Sequence, residues 1–328
     1  MNLLSKKRRL ILQAGAGSLL GFPLTSFSQG AYPNRPIKII VPFPPGNTID
    51  ILARLVQGKM SSVLGQSVIV ENISGAGGRI GMAAVARANP DGYTIGAGQS
   101  GTLWVQPHTT KDSQFDTSKD LVRIALSVRN FNVLVRTNNT PFSTLPEMIS
   151  WAKANPGKLT LGTNGEGGFP HLWFEDLAKQ AGFTFTFVPY KGATQVATDL
   201  VSGQIMVAAD GVSAMVPFIN SNQIKLVAVT SEARAPQFPN TPTVAETIPD
   251  FSAAGEFGFV GPAKMSPEHI RILNNAINTA IQSPEVREKL PGLGLTPIVQ
   301  SAEYFEQVFT KQYERFGNIV KAIGYQPK

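Results

Sequence analysis

The chain has 328 residues, 42% of them hydrophobic and 16% charged, and contains no cysteine. This excludes a disordered or collagen-like polymer, a disulfide-stapled scaffold and thiolate chemistry, and leaves length enough for two domains with ordinary cores. The formal charge is +7, but Lys6, Lys7, Arg8 and Arg9 carry four of the 29 positive charges; the remaining 25 face 22 acidic residues, and no basic stripe with interleaved aromatics points to nucleic acid.

The basic cluster at residues 6–9 precedes Leu10–Leu24, a stretch of apolar and small residues too short to span a bilayer comfortably. Ser26-Phe27-Ser28 then places small residues at both cleavage positions. That layout reads residues 1–28 as an export signal, removed to leave a periplasmic protein. Arg8-Arg9 before Leu10-Ile11-Leu12 also suits a twin-arginine signal, with Lys7 where Ser or Thr is usual, so the route is Sec or Tat. A retained membrane anchor is the alternative.

Beyond the signal, strand and helix patterns alternate. Ile37–Val41 is a β-rich apolar run, Asp50–Leu64 has helical spacing, Ser67–Val70 is a strand, Ile80–Ala88 a helix and Tyr93–Ala97 a strand. Val122–Val135 reads as two adjoining strands. Next come Leu159–Gly162, a helix near His171–Ala181, Phe183–Val188, a helix near Thr194–Val201, Ile205–Ala209, a helix near Ser213–Ile219, and Ile224–Val229. Phe257–Pro262 is another strand, followed by helices at Pro267–Gln282, Pro284–Leu290 and Ala302–Ala322. Continuous apolar strands alternating with helices predict an α/β fold with mostly parallel sheets covered by helices. Its single interruption predicts two lobes joined by a pair of crossing strands, with residues 29–128 and 257–328 in one lobe, 129–256 in the other, and hinges near 127–131 and 255–258.

The candidate chemistry lies where strands end. Pro45-Gly46-Asn47-Thr48, Ser74–Gly78, Gly98–Thr102 (with Ser100), Asn164–Gly168, Lys191–Thr194 and Asp210–Ser213 each join a strand to the next helix. In open α/β sheets ligands bind beyond the carboxyl ends of strands, where helix N-termini present unpaired N–H groups and partial positive charge. Glycine lets backbone approach a ligand, so the set suits an anion, most simply a carboxylate. Any one of these loops alone is as well explained as a turn. Pro42, Pro44 and Pro45 stiffen the first loop and lack amide protons, leaving Gly46, Asn47 and Thr48 to donate. Asp50, Glu166 and Asp210 are read as helix caps or dipole partners, with recognition of a ligand amino or hydroxyl group as the alternative for Asp210. Phe43, Trp104, Phe131, Phe169 and Trp173 lie in or near these loops as core or cleft lining.

Other chemistries find little support. Gly96-x-Gly98-x-x-Gly101 matches a dinucleotide fingerprint only formally, because it follows the third strand and Thr102–Pro107 makes a poor helix. His108, His171 and His269 lack metal-ligand spacing. Ser100 lacks a nucleophile elbow, and His171 reads as a capping or packing histidine. No cofactor, metal or catalytic residue is expected.

Taken together and in order, "YPNRPIKIIVPFPPGNTID", "VENISGAGGRIGMAAVARANPDGYT", "WAKANPGKL", "VPYKGATQVATDLVSGQI", "LVAVTS" with "TPTVAE", and "SPEVREKL" resemble the Bug family, the TctC-like solute receptors of tripartite tricarboxylate transporters. The resemblance runs from Tyr32 to Gly324. It implies a type II-like periplasmic binding protein, expected as a monomer, whose lobes close on a small organic acid without catalysis and deliver it to membrane transporter subunits. Dicarboxylates, tricarboxylates, acidic amino acids and aromatic carboxylates all fit such a receptor. Carried over residue by residue, the ligand contacts become Phe43, Pro45, Gly46, Asn47, Thr48 and Asp50 in one lobe. Ser100 and Thr102 join them from the third strand loop. Asn164, Gly165, Gly168, Tyr190, Lys191, Gly192 and Asp210 form the set across the cleft. The departures are Asn47 for a usual Gly, Ile49 for Thr, Gly168 for Thr or Ser, Gly211 for Asn and Met206 for Asp. A receptor that signals to a membrane sensor, or a cleft hydrolase using Ser100 or His171, are the competing classes.

Overall fold

The computed structural model describes residues 32–111, 114–190 and 192–327. The expected export signal lies outside them. In chain order the elements are β1 (Ile37–Val41), α1 (Thr48–Leu64), β2 (Val68–Asn72), α2 (Arg79–Ala86), β3 (Thr94–Gln99), a π-helical turn (Gly101–Val105), α3 (Gln106–Thr109) and β4 (Leu121–Thr137). There follow α4 (Leu145–Ala154), β5 (Thr160–Asn164), α5 (Phe169–Ala181), β6 (Thr186–Tyr190), α6 (Ala193–Val201), β7 (Val207–Gly211), α7 (Val212–Asn220) and β8 (Ile224–Val229). The chain then adds β9 (Ala254–Pro262), α8 (Pro267–Gln282), α9 (Pro284–Arg287), β10 (Leu295–Pro297) and α10 (Ala302–Ala322).

The fold is the expected α/β type. Strands β2, β1 and β3 form a parallel group, as do β6, β5 and β7. Antiparallel strands β9 and β4 stand between them, giving the order β2-β1-β3-β9-β4-β7-β5-β6, with β8 and β10 paired to β4. The stretch read as two adjoining strands is one continuous strand of 17 residues. Its first part pairs with β9 and β10, and its second with β7 and β8. No Gly or Pro breaks the run, and one strand crosses from one parallel group to the other.

Strand alternation sorts the core. Ile37, Ile39 and Val41 pack with Leu52, Val56 and Met60 of α1 and Leu273 and Ile277 of α8, while Ile40 packs on the opposite face with Met82 and Val85 of α2. Val133 and Val135 likewise pack with Val196 and Leu200 of α6, and Leu134 with the layer containing α4 and α5. That layer also contains Phe305, Phe309 and Phe316 of α10, and the rings of Phe169 and Phe316 lie 5.3 Å apart. One apolar layer therefore underlies both parallel groups.

Besides β4, three further elements differ from the sequence expectation. Helix α4 is added, started by a capping box in which Thr144 and Glu147 exchange side-chain bonds with each other's backbone. The segment Thr102–Pro107 is helical after all, because the π-helical turn runs into α3 and buries Leu103, Trp104 and Val105. Strand β10 has only three residues, too short for a periodic signal.

Candidate ligand-binding site

The strand order locates two topological switch points. The chain runs β1-α1-β2 to one side of β1 and then crosses to β3 on the other; it runs β5-α5-β6 and crosses to β7 in the same way. Both first strands are central, so the carboxyl ends of β1 and β3, and of β5 and β7, are topological switch points. Of the residues expected at the first switch point, Phe43, Pro45, Gly46, Asn47 and Ser100 lie in its loops, Thr48 opens α1 and Thr102 lies in the π-helical turn. Asn164, Gly165, Gly168 and Asp210 lie at the second. Gly192, at the end of β6, begins α6, and Lys191 lies outside the described residues.

At the first switch point, Asp50 organises the loop. Its carboxylate is buried and accepts from the Gly46 N–H at 2.9 Å, from Arg54 Nε at 3.0 Å and from Asn72 Nδ2 at 2.8 Å. The same Asn72 amide donates to the Phe43 carbonyl at 2.9 Å, so the end of β2 ties both ends of the loop. Burial alone would push the Asp50 carboxyl up; the hydrogen bonds from Arg54, Gly46 and Asn72 hold it below the ordinary carboxylate range. Asn47 Oδ1 caps α1 by accepting from the Ile49 N–H at 3.2 Å, and Ile49 itself is fully buried. The two unusual residues of this loop thus have a helix cap and a core contact as their roles.

The expectation that Gly46, Asn47 and Thr48 all offer free N–H groups needs correction. The Gly46 N–H is held by Asp50 and the Asn47 N–H donates to the Pro44 carbonyl at 3.3 Å; Thr48 is the one these loop bonds do not engage. Pro45, Gly46 and Asn47 are exposed.

Ser100 and Thr102 sit differently. Both are buried, and their hydroxyls serve backbone. The Glu256 N–H donates to Ser100 Oγ at 2.7 Å, and Ser100 donates back to the Glu256 carbonyl at 3.3 Å. Thr102 Oγ1 donates to the Gln99 carbonyl at 2.9 Å. Ser100 therefore pins β3 to β9, a poor arrangement for a hydrolytic nucleophile. Gly75, Ala76, Gly77 and Gly78 form a run with positive φ, and a Cβ placed on Gly78 would stand 2.7 Å from Thr102 Cγ2 and 3.0 Å from Phe43 Cζ. Glycine at 78 is what lets three loops converge there. Trp104 and Trp173 are fully buried, and Phe131 and Phe169 nearly so, which leaves Phe43 as the partly exposed aromatic.

At the second switch point, α5, α6 and α7 begin at Gly168, Gly192 and Gly211, and none has a side-chain cap. The positions where the resemblance expects Ser or Thr, and Asn, are thus glycine N-caps with open first turns. Asp210 is buried; its Oδ1 accepts from the Gly211 N–H at 2.7 Å and its Oδ2 has no partner. Burial pushes its carboxyl up to about 6, with the Gly211 bond opposing. Tyr190 takes part through its backbone: its carbonyl accepts from the Gly165 N–H at 3.0 Å, while its hydroxyl donates to Asp199 at 2.7 Å on α6. Asn72 and Arg54 were not among the residues singled out from sequence, and Gly78 was named there only as part of its loop. Asn72 carried a usable signal, a polar residue closing a strand before a glycine-rich loop. Among the described residues no group of three or more His, Asp or Glu is placed to hold a metal ion, and no helix is long and apolar enough to cross a membrane.

This arrangement has known counterparts. The tripartite tricarboxylate transporter family receptor model matches residues 52–325. The chain belongs to that receptor family. Protein BugT of Bordetella pertussis is 32% identical over 303 residues, covering 92% of this chain and 93% of BugT. The structure of R. palustris Rpa4515 with adipate is 29% identical with a TM-score of 0.78, covering 90% of this chain and 100% of that one. The periplasmic binding protein BugD is 28% identical with a TM-score of 0.74, at 90% and 100% coverage. TctC and Bug receptors are periplasmic solute-binding proteins, and this chain has their fold.

Proposed function

We infer that the chain is an exported periplasmic receptor that captures a small organic carboxylate between its two switch points and delivers it to a tripartite tricarboxylate-type membrane transporter. The observation that carries this is the duplicated strand order, which puts a loop and a helix N-terminus at the ends of both central strands, the first capped by Asn47 and the second, after β5, without a side-chain cap. A carboxylate held between two such loop sets matches their donors and partial positive charge without a dedicated cationic side chain. The bound adipate of Rpa4515 favours a dicarboxylate over the tricarboxylate, amino-acid and aromatic alternatives.

The ligand-contacting groups in this scheme are exposed Pro45, Gly46 and Asn47, with Thr48 and Phe43, on one side. Gly165, Gly168, Gly192 and Asp210 act on the other, with Asn164 and Lys191 beside them. Ser100, Thr102, Asp50 and Tyr190 act by holding loop backbone. Residues 29–128 with 257–328 and residues 129–256 form the two lobes, and β4 and β9 are the crossing strands between them. Binding shifts the population toward a closed state by contacts made only there.

The test is a thermal-shift and calorimetric screen of the monomeric, signal-free protein against C4–C6 dicarboxylates, citrate, acidic amino acids and aromatic carboxylates. A ligand that binds only the folded protein raises Tm with its concentration. No stabilisation by any carboxylate would sink the proposal. Uptake of the bound acid in cells, lost on deletion of the receptor, tests delivery.

A further inference from the structure

The loop that closes β5 holds an unusual backbone. Gly165 and Gly167 lie at φ +90° and +68°. Within the loop, the Gly168 N–H reaches the Gly165 carbonyl only at 3.4 Å, as does the Thr163 hydroxyl. Gly168 has no side chain with which to cap α5, and Pro170 in its first turn has no N–H.

A buried side chain anchors the middle of this loop. His171 is 5% exposed, and its Nδ1 accepts from the Gly167 N–H at 3.0 Å. Its Nε2 faces Glu175 Oε1 at 3.3 Å, and its ring stacks on Phe187 with centroids 3.9 Å apart. One neutral tautomer satisfies both contacts, with the proton on Nε2 and Nδ1 free to accept. On its other side Gly167 packs against Tyr325 and Thr109: a Cβ there would collide with the Tyr325 hydroxyl and stand 3.4 Å from Thr109 Cβ. Gly167 is thus held between an imidazole acceptor and a phenol from the C-terminal segment, in a conformation and a space that exclude other residues.

We propose that His171 is the positioning residue of this ligand loop. By turning the Gly167 N–H inward, it fixes the entry to α5 and leaves the Phe169 and His171 backbone N–H groups as the donors open to a carboxylate. The inference rests on the carboxylate receptor function argued above, and it deepens that site rather than adding another. Glu175 sets the tautomer, Phe187 sets the ring plane, and Tyr325 with Thr109 forms the wall.

The experiment compares the signal-free protein with His171→Asn, His171→Gln and His171→Leu. Asn places an acceptor oxygen where Nδ1 stands, Gln places it where Nε2 stands, and Leu has none. Calorimetric titration with adipate and succinate should leave His171→Asn within about threefold of wild type, and weaken His171→Gln and His171→Leu about tenfold or more, as expected for a lost bond to a buried amide. Amide exchange of Gly167 in the ligand-free proteins, read by NMR, should be slow in wild type and His171→Asn and fast in the other two. A His171→Leu protein with wild-type affinity, a His171→Asn protein as impaired as His171→Leu, or fast Gly167 exchange in wild type would each overturn the assignment. A wild type that binds no carboxylate would instead defeat the receptor function, and the exchange pattern would still decide whether His171 holds the loop.

Discussion

Replacing Asp50 by Asn tests the construction of the first ligand loop most directly. The carboxylate is 2% exposed and accepts from three neighbours, the Gly46 N–H, Arg54 Nε and Asn72 Nδ2. An amide at position 50 must turn its own NH2 toward one of those donors, so one buried charge-assisted bond becomes a donor facing a donor. Losing such a bond costs roughly 1.5–3 kcal/mol. Arg54 is half exposed, at 47%, so its ion pair adds at most about 1 kcal/mol. The expected loss is about 3 kcal/mol, or roughly 6 °C in Tm for a chain of this size. The sign of the pH dependence follows from the lowered folded-state pKa. The stabilisation is fully present above the unfolded carboxylate value of about 4, and is lost as pH falls through the lower folded value. Calorimetry of both proteins at pH 7 and at steps down to pH 3 should therefore show a gap that is wide at pH 7 and closes in acid. Equal stability at pH 7, or a gap unchanged down to pH 3, would refute this account of the loop.

Three further outcomes follow from the same geometry. Asp210→Asn keeps the bond from the Gly211 N–H and removes a buried charge; since the Asp210 carboxyl is raised to about 6, its contribution is full below about pH 4 and lost as pH rises to 6, so the variant should match wild type at pH 4 and exceed it by roughly 2 kcal/mol at pH 8 in denaturant titrations. Gly78→Ala, at φ +97° and against Thr102 and Phe43, should lose about 2 kcal/mol by strain and overlap and weaken carboxylate binding, and unchanged unfolding would show that the three loops do not converge there. Ser100→Ala should lower stability by about 1–2 kcal/mol and weaken every carboxylate by the same factor, because Ser100 pins β3 to β9; a loss confined to one ligand in calorimetric titrations would make Ser100 a direct contact instead.

Much of the molecule was legible in the order of its residues. Ile37–Val41, Ile224–Val229, Pro267–Gln282 and Ala302–Ala322 stand where apolar spacing put them, because burial on known faces dictates both the period and the bounds of such segments. The loops at strand ends were equally visible, since glycine and proline mark them locally. The remaining elements carry a short local signal or none. Strand β10 is held by pairing with β4, and Thr102–Pro107 is helical because Leu103, Trp104 and Val105 reach a core that sequence spacing does not reveal. Helix α4 did announce itself, in the capping box of Thr144 and Glu147.

The division between sequence and tertiary structure is sharpest within the candidate site. Residue types alone determined that strands end in donor-rich loops, that thiol chemistry is excluded, and that the first loop is stiffened by proline. Only the folded chain decided which donors remain free. Asp50 claims the Gly46 amide, His171 claims the Gly167 amide, and Ser100 and Thr102 spend their hydroxyls on backbone. The reason is physical: a hydrogen-bonding group has a limited number of partners, and partners 156 positions apart in the chain, as Ser100 and Glu256 are, compete for it only after the strands have met.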